Sequence, residues 1–200
     1  QTAIRRAVAD KEATLLIEAT CNQVNQDGGY TGMTPEMFVA FVLKIAGEEG
    51  LDASRILFGG DHLGPNPWRA EPAAQAMDKA ETMVSAYVKA GFSKIHLDAS
   101  MGCAGEPTAL DDETIAIRAA RLAKAAETAA RATGRTLPDY IIGTEVPAPG
   151  GVDHTISELK PTDAAAARRT IEIHRDIFAR EGLTEAFGRV IAVVVQPGVE

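Results

Sequence analysis

Cysteine is scarce in this chain. There are two, Cys21 and Cys103, which excludes a disulfide framework as the source of stability and points to a reducing, cytoplasmic setting. Aromatic residues make up only 5%, with Trp68 the single tryptophan. No run approaches the ~18 consecutive apolar residues of a membrane span. The opening stretch QTAIRRAVADKEATLL lacks the charged-then-apolar order of a secretory signal. Positive charge is also short: 20 Lys and Arg stand against 28 Asp and Glu, a net charge of -8. That argues against non-specific binding to nucleic acid or to an anionic membrane. Three motifs are missing as well. Without GxxxxGK[ST] there is no phosphate cradle of the P-loop kind, and without GxSxG there is no acyl-transfer serine elbow. Without GxGxxG after a strand, dinucleotide binding has no support.

What is present is ordinary for a globular domain: 46% hydrophobic and 24% charged residues in a length that suits one domain. Five short apolar runs recur: TLLIEA (14–19), RILFGG (55–60), KIHLD (94–98), YIIGTEV (140–146) and VIAVVVQ (190–196). Unbroken runs of this length suit parallel strands covered on both faces. Helical stripes separate them. Thr34 caps and Pro35 opens a helix with Phe38, Phe41, Val42 and Ile45 on one face. Pro72 opens the next, striped by Met77, Ala80, Val84 and Val88 and closed by Gly91. Ile115, Ala119, Leu122, Ala126 and Ala129 form a third, stopped by Gly134. Thr162 is placed to cap a fourth, with Ala167, Ile171, Ile177 and Phe178 inward, and a leading helix covers Thr2 to Ala9.

Repeated strand and helix fit an open doubly wound sheet or a (β/α)8 TIM barrel. Five strands are too few for the barrel, and no helix follows VIAVVV. The reading is therefore an α/β chain that is an internal part of a longer one, about five βα units of a single domain spanning 1–200; the alternative is a complete five-stranded open sheet.

In either architecture function gathers at the carboxyl ends of the strands. The first run ends in Glu18, followed by Cys21, Asn22, Gln23 and Asn25; the second in Asp61 and His62; the third in Asp98 and Ser100; the fourth in Thr144 and Glu145 before Gly150 and Gly151; the fifth in Gln196. Five polar ends on one face make a polar pocket. The stretch ILFGGDHLGPNPW (56–68) is the sharpest case, because a core has no use for an acid beside a histidine where a buried strand stops. His62 suits metal ligation or proton transfer. Each residue also has a plainer use. Asp61 and Asp98 can cap turns, His96 can be an interior histidine satisfied by a neighbour, and His154 can lie on the surface. His174 is mid-helix and structural, and the cysteines serve as small buried hydrophobes.

EATCNQVNQDGGYTGMTP, FGGDHLGPNPW, KIHLDASMGCAGEP, TEVPAPGG and VVVQPGVE together resemble the non-catalytic subunit family of class II tagatose-bisphosphate aldolase, a family often labelled tagatose 6-phosphate kinase. The resemblance runs across essentially the whole chain and implies a (β/α)8 barrel about twice this length. It implies an accessory subunit that stabilises a catalytic aldolase subunit in carbohydrate metabolism, with a sugar-phosphate pocket and an oligomeric assembly. The alternative it leaves open is an active divalent-metal-dependent epimerase or aldolase, zinc being the expected metal. By the same resemblance Asp61 and Asp98 take catalytic places and His62 and Glu145 metal places. Glu18, Asn22, Gln23, Ser100, Gly150 and Gly151 fall to substrate binding. Leu63 stands where the catalytic enzymes carry a second histidine.

Overall fold

The computed structural model describes residues 1–144 and 161–196. Along the chain the elements are α1 (Thr2–Ala9), β1 (Leu15–Thr20), α2 (Pro35–Glu49), β2 (Ile56–Leu63), α3 (Ala73–Ala90), β3 (Lys94–Leu97), α4 (Asp112–Thr133), β4 (Asp139–Gly143), α5 (Ala164–Arg180), the short α6 (Thr184–Phe187) and β5 (Val190–Val194). Their limits follow local chemistry. Thr34 accepts a hydrogen bond from the Met37 N–H and Pro35 takes the first helical position. Gly50, Gly91 and Gly134 end α2, α3 and α4 in the left-handed conformation. Pro72 sits just outside α3 as its N-cap. At α5 the cap is Asp163, whose carboxylate accepts from the Ala166 N–H. Thr162 instead exchanges hydrogen bonds with Gln196: its N–H reaches the Gln196 carbonyl at 2.8 Å and its hydroxyl accepts the Gln196 N–H at 2.9 Å.

All five strands are parallel, and their order in the sheet is β1-β2-β3-β4-β5. That order never reverses, so these strands contain no switch point of the doubly wound kind. Right-handed crossovers in one direction place every helix on the same face. The packing agrees: α2 lies on α3, α3 on α4 and α4 on α5. The core sits between this helix layer and the sheet. Phe58, Ile95, Leu97, Tyr140 and Ile142 face it from the strands, and Met77, Tyr87, Leu122 and Phe178 from the helices. Phe41 and Ile171, read as inward from their stripes, are 48% and 39% exposed, so they lie on the outer edge of those faces. The opposite face of the sheet carries Leu16, Leu57 and Ile191, which are 45%, 48% and 62% exposed.

Candidate functional site

Strand alternation fixes which residues reach the face away from the helices. On β1 they are Leu16, Glu18 and Thr20, and on β2 Leu57, Gly59 and Asp61. Lys94 and His96 follow on β3, with Asp98 directly beyond it. Glu18, Gly59 and Lys94 lie in register across three strands. Lys94 pairs with Glu18 over the glycine, and a Cβ on Gly59 would come within 2.6 Å of the Glu18 carboxylate. The Lys94 ammonium also lies 3.9 Å from Asp61 Oδ1.

By simple alternation His62 would point into the helix layer. It does not, because β2 changes register between Gly60 and Leu63 and His62 has φ +49°, unique among described non-glycine residues in having positive φ. The bulge turns its ring back to the side of Asp61, and Leu63 takes the vacated core position, fully buried. Gly60 makes this possible: a Cβ there would meet Leu63 Cδ1 at 2.5 Å. The strand therefore runs on to Leu63 instead of stopping at Gly60, and the pair of glycines is explained by two close approaches.

The turned ring meets an acid. His62 Nδ1 lies 2.8 Å from Asp98 Oδ2, and Asp98 Oδ1 accepts from the Ser100 hydroxyl at 2.7 Å and the Ser100 N–H at 3.2 Å. Burial pushes the Asp98 carboxyl up, but these bonds from His62 and Ser100 outweigh it and hold it below the ordinary carboxylate range. On the other side, His62 Nε2 faces Asp61 Oδ2 at 3.8 Å, and His96 Nδ1 faces Asp61 Oδ1 at 3.3 Å. The His96 contact first, then the charges of His62, His96 and Lys94, hold the Asp61 carboxyl below its usual range against its partial burial. Potential ligand atoms of Asp61, His62 and His96 all fall within 4.8 Å of one another. Imidazole nitrogen with carboxylate oxygen is a donor set that fits a divalent transition ion such as zinc.

Beside this cluster is a cavity of about 220 Å³, lined in part by Thr20, Asn22, His62, Asn66, Asp98 and Thr144. Cys21 also lines it, its thiol pushed up to about 12 by burial and then by the Asp98 charge. Of the residues singled out from sequence, Asp61, His62, Asp98 and Asn22 converge here. Glu18 lies one layer below, paired with Lys94. The Gln23 side chain accepts the Thr20 N–H at 2.9 Å and so shapes the β1 turn, while Ser100 serves Asp98. Glu145, Gly150, Gly151 and His154 lie outside the described residues. His96 and Lys94 were not marked as site residues by sequence reasoning; their two-residue spacing with Asp98 on one strand face is the signal that could have found them.

The fold and site define a parallel α/β protein with an Asp–His cluster at the carboxyl ends of its strands. The chain belongs to the "D-tagatose-1,6-bisphosphate aldolase subunit GatZ/KbaZ-like" family, whose pattern matches residues 1–200. It is 66% identical over 200 residues to a D-tagatose 6-phosphate 4-epimerase of Agrobacterium fabrum, covering 100% of this chain and 47% of that protein. It is 57% identical over 186 residues to a D-tagatose-1,6-bisphosphate aldolase subunit GatZ of Salmonella paratyphi B, covering 93% of this chain and 44% of that protein. A crystal structure described as a probable tagatose 6 phosphate kinase from Sinorhizobium meliloti 1021 superposes with a TM-score of 0.86 at 56% identity, over 99% of this chain and 46% of that one. The chain thus spans about half the length of the curated relatives it matches.

Proposed function

We propose that the whole protein keeps a working metal-dependent active site and inverts one carbon of a ketose phosphate by cleaving and remaking a carbon–carbon bond. Tagatose 6-phosphate, epimerised at C4, is the substrate that the 66% identical relative suggests. The observation that carries this reading is the strained bulge at His62. A left-handed non-glycine residue costs about 1–2 kcal/mol, and here that strain brings an imidazole beside two carboxylates and a second imidazole. A surface that only docked a partner would have no use for it.

In this reading Asp61, His62 and His96 would hold a divalent cation, zinc by their donor set, which would supply Lewis-acid polarisation of the ketose carbonyl. Asp61, kept ionised by its neighbours, takes the proton of the C4 hydroxyl. The C3–C4 bond then breaks, its electron pair staying on the three-carbon ketone fragment. The aldehyde fragment is attacked again on its other face, and Asp61 returns the proton, so atoms and protons balance. Asp98 holds the His62 ring in place. The Asn22 and Asn66 amides and the Thr20 hydroxyl, on the cavity wall, are the hydrogen-bonding groups for substrate hydroxyls.

The same reading places this five-stranded sheet as part of one eight-stranded barrel domain that buries Leu16, Leu57 and Ile191. The two buried free cysteines suit a cytoplasmic protein. A second reading, an accessory subunit that stabilises a catalytic aldolase subunit within an oligomer, is supported by the 57% identical relative named as such a subunit and by Leu63 in the core where the catalytic enzymes carry histidine. Full-length protein, incubated alone with tagatose 6-phosphate, separates the two. Formation of the C4 epimer without any partner supports the enzyme; turnover that appears only on adding a catalytic aldolase subunit supports the accessory role.

A further inference from the structure

The His96 ring is bonded in a way that fixes its proton. Its Nε2 lies 2.9 Å from the Gly143 carbonyl, an acceptor only, so Nε2 carries the hydrogen. Its Nδ1 lies 3.3 Å from the His62 backbone nitrogen, at the mouth of the bulge. The same Nδ1 faces Asp61 Oδ1 at 3.3 Å. His96 is 1% exposed, and water has little room to relieve the contact. Groups so placed are bridged either by a proton on Nδ1 or by a metal cation.

We propose that His96 is itself a ligand of the divalent cation, through Nδ1, alongside His62 through Nε2, with the β4 terminus acting as the group that sets its tautomer. The inference rests on the cation proposed above. Both rings then follow one rule: a metal-bound imidazole donates its other N–H to a carboxylate or a backbone carbonyl. For His62 that partner is Asp98 at 2.8 Å, and for His96 it is the Gly143 carbonyl. The spacing agrees. With bonds of about 2.0–2.1 Å, atoms on one tetrahedral zinc stand roughly 3.3–3.5 Å apart, and Asp61 lies 3.3 Å from one ring and 3.8 Å from the other. Gly143 is the last residue of β4, with φ +85°, and a Cβ on it would meet the Val194 carbonyl at 2.7 Å. The turn that only glycine makes easily is therefore also the turn that presents the carbonyl to His96.

The test uses full-length protein and zinc alone as the probe. In His96→Gln the side-chain amide still reaches the Gly143 carbonyl but has nothing at the Nδ1 position. Its zinc affinity is expected to fall by at least the ~10–100-fold typical of losing an outer-shell partner, measured by competition with a chelator. Nitrogen-15 NMR of the wild-type imidazoles gives an answer that does not depend on any variant folding. The metal-free protein should show His96 as the Nε2–H tautomer, and zinc should shift its Nδ1 resonance. Undiminished zinc binding in His96→Gln, or a His96 ring protonated on both nitrogens in the zinc-loaded protein, overturns the inference. A wild type that binds no divalent cation overturns the cation reading itself, a different failure.

Discussion

A side chain on a strand faces one side of the sheet or the other, and Asp61 and His62 are consecutive residues that need the same side. The bulge solves this, and its parts are separable. Gly60 opens the space, Leu63 fills it, and His62 takes the backbone strain. Asp98 then decides where the ring settles. Asp98→Asn keeps an acceptor for Ser100 but weakens the charged bond to His62, so zinc affinity of the full-length protein should drop about 10–100-fold. Thermal denaturation, run beside the zinc titration, should show the fold intact; unchanged affinity in a folded variant would deny Asp98 its role. Asp61, His62 and Asp98 were legible in the sequence because acid and imidazole at the end of an apolar run are out of place in a core. His96 was not. An alternating Ile-His-Leu reads as an interior strand, and only the Gly143 carbonyl, brought from 47 residues away, gives the ring its orientation.

At the scale of elements, helix limits were readable wherever a cap or a glycine marked them, as at Thr34, Gly91 and Gly134. The start of α5 offered two adjacent capping residues, Thr162 and Asp163, and sequence cannot choose between neighbours when one is claimed by a distant strand. Asp163→Ala should cost about 0.5–2 kcal/mol, seen as a lower urea midpoint. A loss confined to Thr162→Ala would contradict the observed cap. Within α5, His174 is buried against α4. Its Nδ1 lies 2.8 Å from the Thr170 carbonyl, and its Nε2 is buried with no hydrogen-bond partner among the described residues. Burial depresses its pKa, against the opposing pull of the Thr170 carbonyl and Asp112. The unfolded chain, titrating near 6.5, then binds the proton more readily than the folded one. The neutral ring's contribution is full above about pH 6.5 and shrinks as pH falls from there toward the depressed folded value. His174→Leu should flatten the fall in melting temperature between about pH 7 and 5; an unchanged slope would place the titration elsewhere.

Across the described strands, the order β1-β2-β3-β4-β5 runs in one direction and puts the connecting helices on one side, an arrangement that suits the wall of a barrel. The sequence could not decide between a doubly wound sheet and a barrel wall, since both read as alternating strand and helix. Which strand neighbours which is the information that alternation alone does not carry. Closing the sheet in the full-length protein should bury the face that carries Leu57. Leu57→Asp should then destabilise that protein by on the order of 3 kcal/mol or more, as an unpaired charge enters a packed interior. A melting temperature within a degree or two of the wild type would argue against closure.

The claim that joins these scales is that the Asp61–His62–His96 cluster holds a cation needed to epimerise a ketose phosphate. The most direct measurement is carbon-13 NMR of labelled tagatose 6-phosphate with full-length protein alone, before chelation, after chelation, and after zinc is restored. The account predicts the C4 epimer in the first and third samples and unchanged substrate in the second. Turnover that survives complete removal of metal, or none at any zinc level, would contradict it.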